Sequence, residues 1–242
     1  MEPGDDAYGR LILDYFERGE GIEVVERDDG YLDPSTFGPA AYFAGIRRWP
    51  KTERRAIRLA RGRVLDVGCG AGRVALHLQE RGHEVVAIDV SPLAVDVSRR
   101  RGVRDVRELS VTQVSRTLGS FDTIVMFGNN FGLVGSARRA PWLLRRLRSI
   151  TSDGARILAE SVDPYKTENP QHLEYQGRNR ARGRMPGQLR IRLRHGHYKT
   201  PWFDYLLVNA DEMAQLARSG GWTLREVIDE SETVYVGVLE RT

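Results

Sequence analysis

The chain has 242 residues, 40% hydrophobic and 29% charged, with a formal net charge of +4 and a single cysteine, Cys69. That length and balance suffice for a core without disulfide or metal staples, and one cysteine excludes an internal disulfide. No apolar run approaches the ~20 residues that span a bilayer, and Met1-Glu2-Pro3-Gly4-Asp5-Asp6 lacks the basic start and apolar centre of a secretion signal; the expected location is cytoplasmic, with no membrane partner.

In chain order, Ala7 to Phe16 reads as an amphipathic helix, and Ile22 to Val25 followed by Asp28 to Leu32 as a small hairpin or an extended loop. Phe37 to Phe43 and Trp49-Pro50 then lead into a basic helix reaching Arg61. Val64 to Val67 is an apolar run that ends in three alternating glycines, Gly68, Gly70 and Gly72. It reads as a buried parallel strand and a tight turn, followed by a helix from Arg73 to Arg81 with Val74, Ala75 and Leu78 on one face. Glu84 to Ile88 is a second strand that stops at Asp89, completing a right-handed βαβ unit. Glycine is required where the backbone takes positive φ or approaches a ligand closely, and the following helix offers free N–H groups in its first turn. A carboxylate at the end of the second strand accepts hydrogen bonds from both hydroxyls of a ribose, so this unit predicts a nucleoside site. The spacing is Gly-x-Gly-x-Gly, whereas a dinucleotide fingerprint needs a small residue where Arg73 stands, and no Gly-Lys-Ser/Thr of a Walker sequence follows.

Beyond Asp89, Ser91 caps a helix from Pro92 to Arg101, Val103 to Val111 is a short irregular strand, and Phe121 to Phe127 is a clear one that ends in Gly128-Asn129-Asn130-Phe131-Gly132. A helix from Ala137 to Ser149 is expected to turn Trp142, Leu143, Leu147 and Ile150 inward; Asp153-Gly154 closes it and Ala155 to Ser161 is the fifth strand. Residues 165–200 then hold nine Lys or Arg against two Glu, more positive charge than the whole chain carries net. Within them an Arg-rich loop, Arg178 to Arg184, precedes the period-two strand Gln188 to His195, whose expected antiparallel partner is Pro201 to Val208. Asp211 is read as the cap of a helix from Glu212 to Ser219, ended by Gly220-Gly221, before strands at Thr223 to Ile228 and Val234 to Glu240. No internal repeat is visible.

Val64 to Pro92 resembles motif I and its acidic follow-on in the class I S-adenosylmethionine (SAM)-dependent methyltransferases: Asp66 stands at the acidic position before the loop, Asp89 at the ribose-binding carboxylate, and Ser91-Pro92 at the start of the next helix. Phe121-Asp122 opens a strand similar to the family's "FD-apolar" strand. The resemblance covers residues 55–163 and 209–242. It implies a doubly wound α/β fold, a mostly parallel seven-stranded sheet with one antiparallel strand, and a methyltransferase that uses SAM and releases S-adenosylhomocysteine. It also implies an N-terminal lid over residues 1–54, where Tyr42, Phe43 and Trp49 could shield the sulfonium, and a methyltransferase domain over 55–242; the segment at 165–209 departs from the family pattern and is read from its own alternation as an inserted hairpin substrate cap. Its expected cofactor-binding residues are Asp66, Gly68, Gly70, Gly72, Asp89, Val90, Thr112, Asn129 and Asn130. Most relatives place an acid after the third strand to hold the adenine amino group; Ser110-Val111-Thr112 stands there instead, so a hydroxyl or backbone group near Thr112 is expected to take that part. Asn129 or Asn130 is expected at the methionine end of SAM, the alternative being plain support of a turn. Cys69 is read as inert filler.

The basic insertion leaves three readings open: a solvated surface, a pocket rim whose arginines hold an acidic or phosphorylated small molecule, or a nucleic-acid surface using Tyr175, Tyr198, Trp202 and Phe203. A small-molecule acceptor is favoured; an RNA or protein methyltransferase and a non-catalytic SAM-binding regulator are the alternatives. Candidates for a general base are His172, Glu174, His195, His197, Asp163 and Tyr165, none at a spacing that marks a dyad. His195-Gly196-His197, taken as alternating on a strand, turns two imidazoles to one face without an acidic third ligand, so no metal is expected. A monomer or homodimer is expected, the latter pairing through Trp202-Phe203.

Overall fold

The computed structural model describes residues 3–34, 38–231 and 233–241; Phe37, and Met1 and Glu2 of the N-terminal stretch, lie outside them. The elements in chain order are α1 (Ala7–Arg18), β1 (Val24–Arg27), β2 (Leu32–Pro34), α2 (Lys51–Ala56), β3 (Val64–Val67), α3 (Arg73–Glu80), β4 (Val85–Asp89), α4 (Pro92–Arg100), β5 (Val106–Glu108), β6 (Phe121–Met126), α5 (Ala140–Arg148), β7 (Thr151–Val162), α6 (Pro170–Ala181), β8 (Gln188–His195), β9 (Tyr198–Lys199), β10 (Phe203–Leu206), α7 (Ala210–Ser219), β11 (Trp222–Ile228) and β12 (Val234–Arg241). A seven-stranded sheet runs in the order β11-β12-β7-β6-β3-β4-β5. β12 is antiparallel to both β7 and β11, while β3-β4, β4-β5 and β6-β7 are parallel. This is the expected mostly parallel α/β sheet with one reversed strand.

Two compact units are distinguished, one of residues 1–49, 63–113 and 190–203, the other of 50–62, 114–189 and 204–242. In the first, every residue of β3 and β4 is buried, the composition of strands covered on both faces. α4 begins where Ser91 Oγ accepts the Ala94 N–H at 2.9 Å, with Pro92 in its first turn. In the second unit, Phe121, Ile124, Met126, Leu143, Leu144, Leu158 and Trp222 are fully buried.

A second sheet has the order β10-β8-β1-β2, with β9 paired to β8. Residues 22–32 are therefore a strand pair, β1 to β2, rather than a loop, and β1 adds antiparallel to β8, Val24 opposite Arg194 and Arg27 opposite Ile191. Glu26 faces Arg192 across that ladder in a two-pronged ion pair at 2.7 and 2.8 Å, and Arg194 approaches the same carboxylate at 3.3 Å. Part of the insertion's positive charge thus serves cross-strand pairing.

Several expectations are corrected. Arg178 to Arg184 is a loop only from Arg182 on, since α6 runs to Ala181 behind an Asn169 cap. Trp142 is 44% exposed instead of inward, because Ala140, Leu143, Leu144 and Leu147 form the buried face of α5. Asp153-Gly154 lies inside β7, where the ladder to β6 shifts register, and does not close the helix. The cap of α7 is Asn209 rather than Asp211: its Oδ1 accepts the Glu212 N–H at 2.9 Å, while Glu212 Oε2 accepts the Asn209 N–H at 3.1 Å, a reciprocal capping box. The third strand shrinks to Val106–Glu108, and Val111–Gln113 forms a short 3-10 turn. Finally, β8 ends at His195 and Gly196 takes φ +56°, so His195 and His197 are not alternating strand positions.

Candidate functional site

The glycine loop joins β3 to α3, with Gly68, Gly70 and Gly72 at φ +70°, +53° and +77°. A side chain at Gly72 would be strained by that φ and would also press into Val103, at 2.6 Å, and Ser98 Oγ, at 2.9 Å. The loop is tied to β4 by the Gly68 and Cys69 N–H groups, which donate to the Ile88 carbonyl at 2.9 and 3.0 Å. Asp89, the last residue of β4, is buried. Its Oδ2 accepts the Gly70 N–H at 2.9 Å and its Oδ1 the Ser91 N–H at 3.0 Å. Burial raises the Asp89 carboxyl above the usual carboxylate range, while the Ser91 and Gly70 N–H groups pull it back and Asp6 raises it further. Two accepted bonds leave about two of the carboxylate's roughly four lone-pair sites for a ligand. Asp66 is buried within β3, and Val90, next to Asp89, is exposed.

The N-terminal helix enters this site in a way the sequence reading missed. Asp6 is fully buried and caps two helices at once. Its Oδ1 accepts the Gly9 N–H of α1 at 2.8 Å, and its Oδ2 accepts the Ser91 hydroxyl at 2.8 Å and the Leu93 N–H of α4 at 3.3 Å. Two residues on, the Tyr8 hydroxyl stands directly before Gly70, where a Cβ would collide with it and lie 3.5 Å from Cζ of the ring. The Tyr8 ring meets Tyr42 edge to face, with centroids 5.4 Å apart. Tyr42 in turn donates its hydroxyl to the buried Glu23 carboxylate, 3.0 and 3.1 Å from its two oxygens. Burial first, then Tyr42, Asp89 and Glu23, pushes the Tyr8 phenol well above its ordinary value, so it stays protonated. Ile12 of α1 packs with Ala71 of the loop and Val97 of α4, with Tyr8, Tyr42 and Phe43 around them. Trp49 takes a different position. It is buried, donates its indole N–H to the Ala44 carbonyl at 2.7 Å, and lies against His77 and Arg73 of α3.

Cys69 is buried in the loop, and its thiol is pushed well up by burial and then by Asp89 and Asp66; it is a poor nucleophile there. Thr112 sits in the short turn after β5, its hydroxyl 2.9 Å from that of Ser110.

In the other unit, Asn129 follows β6 at φ +63°, the one non-glycine with positive φ among the described residues. Its N–H donates to Glu160 Oε1 at 3.1 Å, and its carbonyl accepts the Tyr205 hydroxyl. Tyr205 occupies the space that a side chain at Gly132 would need. The Asn129 side-chain oxygen is buried with no hydrogen-bond partner among the described residues. Asn130 opens the next short 3-10 turn, Asn130–Val134.

The residues proposed as bases make other bonds. Both nitrogens of His195 are engaged, Nε2 with Asp14 at 2.9 Å and Nδ1 with the Ile22 carbonyl at 3.0 Å. His172 Nδ1 lies 3.1 Å from the Thr167 hydroxyl, Tyr165 donates to Glu212, and His197 packs against the Tyr198 ring at 4.0 Å. The Tyr165 phenol is raised by burial and by Glu212. Two of the candidates meet, the Tyr165 backbone N–H donating to Asp163 Oδ1 at 3.0 Å.

A family model described as a methyltransferase domain matches residues 64–154, the span from β3 into β7. Over its full length the chain is similar to the crystal structure of a SAM-dependent methyltransferase from Bacteroides fragilis in complex with S-adenosylhomocysteine, at 29% identity, covering 100% of this chain and 97% of that one with a TM-score of 0.85. Its fold is also that of the CcbJ methyltransferase from Streptomyces caelestis, at 16% identity, 98% and 99% coverage and a TM-score of 0.64. Among curated proteins, a cypemycin N-terminal methyltransferase from Streptomyces sp is 32% identical over 123 residues, 50% of this chain and 49% of that one. A SAM-dependent Diels-Alderase, iccD, from Talaromyces variabilis is 33% identical over 103 residues, 40% and 35%. The chain spans between a third and a half of the length of these two curated relatives. With the Asp66 to Pro92 constellation, the reversed strand of the sheet and the full-length structural likeness together, the chain belongs to the class I SAM-dependent methyltransferases.

Proposed function

We propose that the chain binds SAM at Gly68 to Gly72 and Asp89 and transfers its methyl group to a nucleophile of a small-molecule acceptor by in-line displacement, releasing S-adenosylhomocysteine. The observation that carries this reading is the buried Asp89 carboxylate at the end of β4, held by the Gly70 and Ser91 N–H groups with acceptor capacity to spare. The residues present fit the cofactor: the three glycines bring bare backbone to the ligand, and a Cβ on Gly70 would fill the space between the loop and Tyr8. When bound, SAM supplies a methyl group already activated on a sulfonium. The task left to the chain is to hold cofactor and acceptor in line and to exclude water. Asp89 would orient the ribose and the Thr112 region the adenine. α1 with Tyr42 and Phe43 would form the lid, and the insertion at 165–209 the acceptor's cap.

Relatives differ in what their names say they act on. They include a magnesium-protoporphyrin O-methyltransferase from Rhodobacter capsulatus and the cypemycin N-terminal methyltransferase, so the atom that receives the methyl group is a question for experiment. Calorimetric titration with SAM, S-adenosylhomocysteine and NAD tests the cofactor: binding of the first two alone supports the reading, and binding of NAD alone removes it. Incubation with labelled SAM and metabolite, RNA and protein fractions tests the acceptor. Label in the metabolite fraction is expected; label in RNA or protein overturns the small-molecule part, and tight SAM binding without transfer points to a regulatory protein.

A further inference from the structure

We infer that the Tyr8 hydroxyl is a cofactor-binding group, donating a hydrogen bond to an oxygen of the bound nucleoside cofactor, either a ribose hydroxyl or the carboxylate of its amino-acid portion. The inference rests on the reading that SAM occupies the Gly68 to Gly72 loop.

Four observations converge on Tyr8. Its place is fixed from two sides, because Asp6 caps α1 and α4 with the same carboxylate and Ile12 anchors the next turn of α1 on Ala71 and Val97. The ring is held edge-on by Tyr42, whose hydroxyl is tethered to Glu23. The phenol oxygen stands before the Cα of Gly70, whose N–H is already given to Asp89. Among the described residues the Tyr8 hydroxyl has no hydrogen-bond partner, whereas the hydroxyls of Tyr42, Tyr205 and Tyr235 each donate to a carboxylate or carbonyl. Tyr8 is half-buried, so its ring stays packed while its unpartnered hydroxyl is open to a ligand oxygen, which would give that donor an acceptor. Burial of the phenol, then Tyr42, Asp89 and Glu23, keeps it protonated, hence a donor. Asp89 accepts and Tyr8 donates, so the two together would present complementary groups to one ligand, one from the strand end and one from the N-terminal helix.

Tyr8→Phe removes the hydroxyl and keeps the ring against Tyr42, and an unchanged melting temperature checks that α1 remains seated. The wild-type protein and this variant are titrated calorimetrically with S-adenosylhomocysteine and with 5′-methylthioadenosine, which has the ribose but no amino-acid portion. A loss of about threefold to tenfold on both ligands assigns the bond to the ribose, and a loss of about tenfold or more on S-adenosylhomocysteine alone assigns it to the carboxylate. Equal affinity of variant and wild type for both ligands overturns the inference and leaves the cofactor reading standing. If the wild-type protein binds neither ligand, the cofactor reading fails and takes this inference with it.

Discussion

Replacing Gly9 with alanine sets helix propensity against packing. Gly9 is the third residue of α1, and alanine is favoured over glycine inside a helix by about 1 kcal/mol. A Cβ at this position, however, would run into the Ser91 hydroxyl and the Asp6 carboxyl group, with Asp6 Cγ at 2.7 Å. Both are almost completely buried, so neither can swing into solvent. They form one junction, in which Asp6 accepts from Gly9, Ser91 and Leu93 and Ser91 Oγ accepts from Ala94. Overpacking a tight site costs about 1–3 kcal/mol, and weakening the caps of α1 and α4 adds about 1 kcal/mol for each cap lost. After the propensity gain, the net destabilisation is about 1–3 kcal/mol if one cap is lost and about 2–4 kcal/mol if both are. For a chain of this size that lowers the melting temperature by about 2–16 °C. Gly177 provides the control, since it lies inside α6 and a methyl group added there would meet no atom within 4 Å; Gly177→Ala should hold or raise stability. Thermal unfolding of the three proteins decides the matter. Gly9→Ala as stable as wild type would mean that the Asp6–Ser91 junction does not constrain α1, and the placement of Tyr8 would lose its support.

Three further predictions concern single groups. Asp89→Ala should weaken SAM binding by about 1–3 kcal/mol through lost charge-assisted hydrogen bonds; calorimetry returning wild-type affinity from a folded variant would remove Asp89 from the site. Cys69, buried and raised in pKa, should resist iodoacetamide at pH 8 until the protein is unfolded, and rapid labelling of the native chain, followed by mass spectrometry, would contradict that. The Arg192 hydrogen bond holds the Glu26 carboxyl below its ordinary range, so this pairing stabilises the fold at pH values above about 4.3 and is lost as pH falls through the lowered folded value. Urea unfolding should therefore find Glu26→Gln less stable than wild type near neutrality, with the gap closing in acid; a gap independent of pH would refute the assignment.

The parts of the fold that were legible in the sequence are those that local chemistry specifies. A tight turn at positive φ demands glycine, so Gly68, Gly70 and Gly72 were visible as a loop, and the apolar runs of β3 and β4 could only be covered strands. Ser91-Pro92 likewise carried its own helix start. The contacts made by Asp6 were not legible, because Ser91 lies 85 residues away and a buried double cap looks in sequence like one more acid in an acidic terminus. Tyr8 was hidden for the same reason, as an ordinary aromatic in an amphipathic helix. Period-two alternation identified β8 as a strand but left its β1 neighbour unseen, since alternation fixes which face is buried and says nothing of which strand lies alongside. Trp142 was misassigned because a large aromatic next to leucines was read as core, whereas the helical stripe was already filled without it.

The ladder between β1 and β8 joins residues 24–27 to residues 191–194, segments far apart in the chain. Two stretches that a domain-swapping engineer would treat as separate cassettes, a leading hairpin and a late insertion, are therefore halves of one hydrogen-bonded object with matched charges, Glu26 on one and Arg192 and Arg194 on the other. Transplanting either half into another methyltransferase would carry away an unmatched strand edge and an orphaned charge. Any chimera that moves one of the two stretches has to exchange both as a pair, and a change of charge on one strand is expected to need a matching change on the other.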